Sequence, residues 1–180
     1  HDIYGFEKAI GWKYQIKDAF AINLNASYIK NVWTDKANTV DFNWYNNAKL
    51  GTVHTSATTG FYSRIGFKPF QDIVNSIAFG GNLNDDNSSY NTTPEVFFYV
   101  KPTLSYVVYD ATIQGSFLNK KSPVTYDIKN FQFEGEFGLQ FTANRFNLGY
   151  AVHFYSKKLK SIRVPNTIFY GTINVSYLFN

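Results

Sequence analysis

From Phe131 onward the chain alternates strictly. Phe131, Phe133, Phe137, Leu139 and Phe141 fall on one parity, and Gln132, Glu134, Glu136 and Gln140 on the other. Successive side chains of a β-strand point to opposite faces, so this stretch builds one apolar and one polar face. After a break at Thr142-Ala143-Asn144-Arg145 the pattern restarts, with Phe146, Leu148, Tyr150, Val152 and Phe154 set against Asn147, Gly149, Ala151, His153 and Tyr155. The two runs predict a long antiparallel hairpin with a tight turn. Each arm reaches the length of about ten residues with which a tilted strand crosses a bilayer. The apolar face must meet either a protein core or lipid.

Composition narrows that choice. Aromatic residues make up 19% of the 180-residue chain and charged residues only 17%, against about a quarter charged in an ordinary soluble domain. No run approaches the ~18 consecutive apolar residues of a transmembrane helix, which excludes a helical membrane protein and leaves a membrane β-barrel open. There is no cysteine, hence no disulfide framework and no thiolate chemistry. The net charge of +4 is spread along the chain. Its one basic cluster, Lys157, Lys158, Lys160 and Arg163, lies between strand patterns and reads as a solvated loop, with anionic lipid headgroups the next reading and nucleic acid excluded as a partner.

Residues 1–17 show no two-residue period and read as a leader, loop or short helix. A strand is predicted from Asp18, with Phe20, Ile22, Leu24, Ala26 and Tyr28 on one face, then a turn near Thr34-Asp35-Lys36. The second strand carries Val40, Phe42, Trp44, Ala48 and Leu50, with a bulge expected at Asn46-Asn47. A third runs from Thr55 to Phe67. Residues 68–94 form the longest irregular segment, and a fourth strand spans Glu95 to Tyr109, where Pro102 suggests a bulge or a locally unpaired edge. Asp110 to Thr125 reads as a loop before the hairpin, and a last strand presents Phe169, Ile173, Val175, Tyr177 and Phe179 on its apolar face.

These elements amount to about seven strands in up-and-down order. Their polar faces hold Asn, Gln, Ser, Thr, Gly and Tyr, with isolated charges at Arg64, Lys101, Glu134 and Glu136, rather than the Lys and Glu of an open soluble surface. That composition suits the water-containing interior of a transmembrane barrel. The expected fold is therefore all-β, an antiparallel up-and-down outer-membrane barrel, with residues 1–180 a single domain and 1–17 a leader on the extracellular side. An odd strand number and a first residue other than Met lead to the expectation of a C-terminal portion of a longer barrel, monomeric when complete.

Three histidines are present. His153 stands alone on a polar strand face and reads as a structural hydrogen-bonding residue, and His54 reads as an exposed loop residue. His1, followed by Asp2 and Glu7, has the carboxylate company of an oriented general base or a cation site.

Four segments in order resemble the lipid A 3′-O-deacylase (LpxR-type) family. They are Gly11-Trp12-Lys13-Tyr14-Gln15-Ile16-Lys17-Asp18 running into Ile22 to Tyr28; Gly51-Thr52-Val53-His54-Thr55-Ser56-Ala57; Gly60 to Arg64-Ile65-Gly66; and Tyr109-Asp110-Ala111-Thr112-Ile113-Gln114-Gly115-Ser116-Phe117. The resemblance implies a bacterial outer-membrane barrel of about twelve strands that hydrolyses, with Ca2+, the 3′-linked acyloxyacyl ester of lipid A. It also implies that His1, which precedes the Gly11-Trp12 pair as the family's general base does, is catalytic, and that Glu7 supports it. The chain departs from the family pattern at Ala19, where an acid is usual, and at Thr52, where Asn is usual. Lipopolysaccharide is the implied partner. The alternative from another class is a non-catalytic outer-membrane barrel, a pore or structural protein, with a soluble lipocalin-like barrel third.

Overall fold

A computed structural model describes residues 21–71, 73, 76–79, 94–118, 122, 124–143, 145–161 and 165–177. The first strands' expected start at Asp18 to Phe20, the apolar Phe179, and the leader with His1 and Glu7 lie outside the described residues. Seven strands form one antiparallel sheet in sequence order: β1 (Asn23–Thr34), β2 (Val40–Gly51), β3 (His54–Gly66), β4 (Glu95–Asp110), β5 (Phe131–Ala143), β6 (Phe146–Ser156) and β7 (Thr167–Tyr177). The sheet is not closed among the described residues, since β1 and β7 each have one neighbour. Two short helical pieces interrupt it, a 3-10 turn at Ile77–Phe79 and α1 (Ala111–Gln114), which begins where the sequence reads only as loop.

The registers carry the alternation from strand to strand. Pairs such as Asn43↔Tyr62, Lys101↔Glu136, Gln140↔Gly149 and Ala151↔Thr172 put polar and small residues on one continuous face. Phe133, Phe137, Leu139, Phe141, Leu148, Tyr150, Ile173 and Val175 lie on the opposite face and are exposed. A backbone in hydrocarbon must satisfy its polar groups internally, and the ladder does so from β1 to β7.

One detail of the sequence reading is corrected, and one is borne out at Pro102. No bulge occurs at Asn46-Asn47, where the β1–β2 register runs unbroken. Asn47 instead points inward and donates through Nδ2 to Asn25 Oδ1 at 2.7 Å and Ser27 Oγ at 2.8 Å, which a regular strand allows. The bulges lie between Asn31 and Trp33 in β1, and opposite Thr55 and Ser56, where β4 carries the extra residue Val108. Around Pro102 the β3–β4 ladder omits the pairs of Lys101 and Pro102 yet resumes without a shift, while Pro102 still pairs with Gly135 on the β5 side. Proline lacks the N–H for one ladder bond. Gly60 lets the strands close up there, because a Cβ at that position would lie 2.3 Å from the Pro102 carbonyl oxygen.

Of the charges that read as isolated, Arg64 pairs with Asp41, and Lys101 lies 3.8 Å from Glu136. Arg64, 1% exposed, donates through Nε to Asp41 Oδ2 at 2.9 Å and through Nη2 to the same oxygen at 2.5 Å and to the Gln71 carbonyl at 3.1 Å. Glu95 lies 3.9 Å from Arg64 Nη1 and accepts from Ser76 Oγ at 2.6 Å and the Gln71 N–H at 2.8 Å. The rings of Phe70, Phe79 and Phe97 surround the guanidinium at 4.2–5.4 Å. Beside it, Tyr62, Phe97, Tyr99 and Ala151 form a small internal core covered by Ala78 and Phe79. One end of the sheet's polar face is thus plugged by the segment after β3.

Three outcomes follow for stability. Leu139→Arg costs about 2–4 kcal/mol against little for Gln140→Arg, as read by denaturant unfolding of the complete protein in lipid vesicles. Arg64→Ala costs about 3–5 kcal/mol, because it leaves Asp41 and Glu95 buried without their cation, and Arg64→Lys does not restore the fork-shaped contact. In the β1–β2 turn, the Asp35 carboxylate accepts from the N–H groups of Val40 at 2.8 Å, Thr39 at 2.7 Å and Ala37 at 3.2 Å. The Val40 N–H above all holds the Asp35 carboxyl below its ordinary value of 3.8, against a smaller opposing effect of burial. A lowered folded-state value makes the contribution present above the ordinary carboxylate range and lost as pH falls through the lowered one. The Thr39 and Val40 amide proton shifts therefore titrate with a midpoint below 3.8, and Asp35→Asn abolishes that titration.

Candidate functional site

The polar face opens at the rim opposite the plug. There β1 starts, β2 turns into β3, β4 ends in α1, and the β6–β7 connection crosses. Ile22, among the first described residues, is tied to this rim: its carbonyl accepts from Thr52 N–H at 2.9 Å and its N–H donates to Thr52 Oγ1 at 3.0 Å. The described chain therefore enters the sheet at this rim, and the positions of His1 and Glu7 lie outside the described residues.

A cavity of about 470 Å³ occupies this end of the polar face, with Lys49, His54, Ser56, Asp110, Glu134 and Lys158 among its lining residues. His54 is not a loop residue. It begins β3 and faces Asp110 across the ladder, with Nδ1 3.5 Å from Asp110 Oδ2. The bulge at Val108 explains this pairing. Inward residues of β4 have odd numbers through Val107, and one extra residue turns Asp110 to the same face. Strict alternation would have pointed Asp110 outward, which is why the sequence pattern does not reveal it.

Asp110 also caps α1. Its Oδ1 accepts from the Thr112 N–H at 2.9 Å and the Thr112 hydroxyl at 2.5 Å. The short helix ends at Gly115, whose φ of +81° suits a residue without a Cβ. Tyr109 fastens the exit, donating from its hydroxyl to the Gly115 carbonyl at 2.7 Å and accepting from the Phe117 N–H at 3.0 Å. The segment Tyr109 to Phe117 is thus a built corner of the rim. A histidine oriented by a capped carboxylate, beside Lys49 and Lys158, is able to exchange a proton and to hold an anionic group.

The β6–β7 connection is ordered against the same rim. Its Lys158 carbonyl accepts from the Lys129 N–H at 2.8 Å, and its Lys157 and Lys160 N–H groups donate to the Asn166 and Asp127 carbonyls at 2.9 and 2.8 Å. Of the basic cluster, Lys157, Lys158 and Lys160 therefore sit at the open end, and Arg163 lies outside the described residues.

Further along the inner face, His153 is not alone. It faces Glu136 across the β5–β6 ladder, and Glu134 lies two residues along on the same face. One ligand-capable atom of each of the three falls within 4.8 Å of the others, the one such group among the described residues. His153 Nε2 lies 3.0 Å from Thr172 Oγ1, and its ring stacks on Tyr170 at 4.8 Å. The three residues' common face is evident from the alternation, but their adjacency depends on the register.

Comparison with known proteins assigns the family. Residues 1–179 match the family described as outer membrane protein LpxR. No curated protein matched in sequence. Among solved structures, LpxR from Salmonella typhimurium superposes with a TM-score of 0.70 at 15% identity, over 99% of this chain and 59% of that one. The chain thus spans 59% of the length of that structure. The seven-stranded wall, its outward aromatic face and the motif segments at the rim are those of an outer-membrane barrel, and the chain belongs to the LpxR family of outer-membrane proteins.

Proposed function

We propose that this chain is the catalytic-histidine-bearing part of an outer-membrane lipid A deacylase that hydrolyses the 3′-linked acyloxyacyl ester. The observation that carries the reading is the family match over residues 1–179, whose span includes His1 ten residues before Gly11 and Trp12. The geometry supports it in two ways. The described chain enters the sheet at the polar, basic rim rather than at the plugged end, and an apolar outer wall there would let acyl chains stay in lipid while the ester reaches the polar edge.

In this reading His1 takes a proton from the attacking water and returns it to the departing alkoxide, and Glu7 holds the imidazole in the tautomer that allows this. Lys157, Lys158 and Lys160 draw the anionic headgroup to the rim, where screening is weaker than in bulk solvent. Calcium belongs to the proposal through the family resemblance, and would supply polarisation of the ester carbonyl. The described residues do not themselves fit it. Calcium takes six to eight oxygen ligands, whereas Glu134, Glu136 and His153, the one such cluster among the described residues, offer a nitrogen among oxygens.

Removing a general base typically costs 10²–10⁴-fold. His1→Ala in the complete protein is therefore expected to lower release of the 3′ chain by that order, measured by mass analysis of lipid A, with unchanged heat-modifiable migration of the barrel. A calcium chelator is expected to abolish activity and added calcium to restore it. Deacylation indifferent to both His1→Ala and chelation would leave a non-catalytic barrel as the better reading.

A further inference from the structure

We infer that Glu134, Glu136 and His153 form a binding site for a divalent transition-metal ion, of the zinc type, on the inner face of the wall. The site is built by local strand geometry. Glu134 and Glu136 are two apart and so share a face of β5, and antiparallel pairing sets His153 directly opposite Glu136. Directly opposed side chains have Cβ atoms about 4.5–5.5 Å apart, which brings the three ligand-capable atoms within 4.8 Å of one another. Small side-chain adjustments suffice to close them onto one ion at about 2.0–2.2 Å.

The surrounding residues orient these groups as outer-shell partners orient metal ligands. His153 Nε2 is engaged by Thr172 Oγ1, while its Nδ1 is buried and has no hydrogen-bond partner among the described residues. With the Nε2 proton directed to Thr172, Nδ1 is left with an unsatisfied lone pair, which a cation held together with the two carboxylates would satisfy. The rings of Tyr155 and Tyr170 stack on the imidazole and fix its plane. Tyr99 donates to Glu136 Oε1 at 2.6 Å, and the Tyr155 hydroxyl is hydrogen-bonded to Glu134. Each carboxylate is thus held by a phenol.

The lysine nearest Glu136 is Lys101, whose Nζ is 3.8 Å from Glu136 Oε2 and lies 4.2 Å from the centre of the Tyr45 ring, while Lys158 lies over the Tyr155 ring at 4.8 Å. The Lys101–Glu136 distance is beyond a hydrogen bond, so Glu136 Oε2 remains available to a metal. A mixed imidazole–carboxylate set selects zinc and its first-row neighbours over calcium and magnesium, which prefer oxygen alone.

The test is zinc titration of the complete, chelator-treated protein in detergent, by calorimetry and by thermal unfolding. One zinc per chain is expected to bind through this site, with at least tenfold weaker affinity in His153→Ala and in the nearly isosteric Glu136→Gln. Tyr99→Phe and Tyr155→Phe should weaken it 10–100-fold. Calcium at the same concentration should not displace the zinc. The inference is overturned if the wild-type protein binds no zinc, or if zinc stoichiometry and affinity are the same in Glu136→Gln, a variant that preserves side-chain shape and so keeps the barrel folded. Since the readout is binding and not hydrolysis, failure here leaves the deacylase reading untouched.

Discussion

Lipid offers no hydrogen-bond partners, and every feature of this wall answers to that fact. A chain crossing hydrocarbon as strands must satisfy its N–H and C=O groups by lateral pairing. The ladder from β1 to β7 does so, and pairing in turn imposes a period of two on the side chains. Phe137 and Leu139 can face lipid only because Glu136 and Gly138 face inward. The same constraint makes deviations informative. Where Pro102 removes a donor, Gly60 allows the neighbouring strand to approach, and where β4 takes in Val108 the bulge falls at the rim.

Inside the wall the polar face is organised by charge. Arg64, between Asp41 and Glu95 and under three phenylalanine rings, anchors the plug at one end. A buried ion group of this kind adds little net stability but is costly to break, so it fixes one arrangement of the segment after β3 against the wall. At the other end His54 and Asp110 face a cavity open to the rim. The two ends divide the work: one is covered by the plug and held by desolvated charges, the other is open and basic.

Alternation in the sequence was enough to recover seven strands, their order and the sidedness of β5, β6 and β7, because a two-residue period survives burial and lipid exposure alike. It could not reveal what depends on register or on breaks in the period. Asp110 turns inward only through the extra residue Val108, and α1 is too short to show a helical repeat. His153 and Glu136 are seventeen positions apart in sequence but opposite one another in the sheet. The bulge placed at Asn46-Asn47 failed for the converse reason: two asparagines look like a break, yet Asn47 is a satisfied inward residue of a regular strand. For the rim, the motif segments were legible as resemblance. Their physical roles, such as the cap by Asp110 and the turn at Gly115, required coordinates.

The central claim is that one face of this sheet meets lipid and the other an aqueous interior. Single nitroxide labels at successive positions along β5 and β6, in the complete protein reconstituted into bilayers, test it most directly. Labels at 133, 137, 139, 141, 148, 150 and 152 should collide with oxygen dissolved in the hydrocarbon. Those at 132, 134, 136, 140, 147, 149 and 153 should collide with a water-soluble nickel complex, in strict alternation. Uniform access of the nickel complex to both sets would contradict the account.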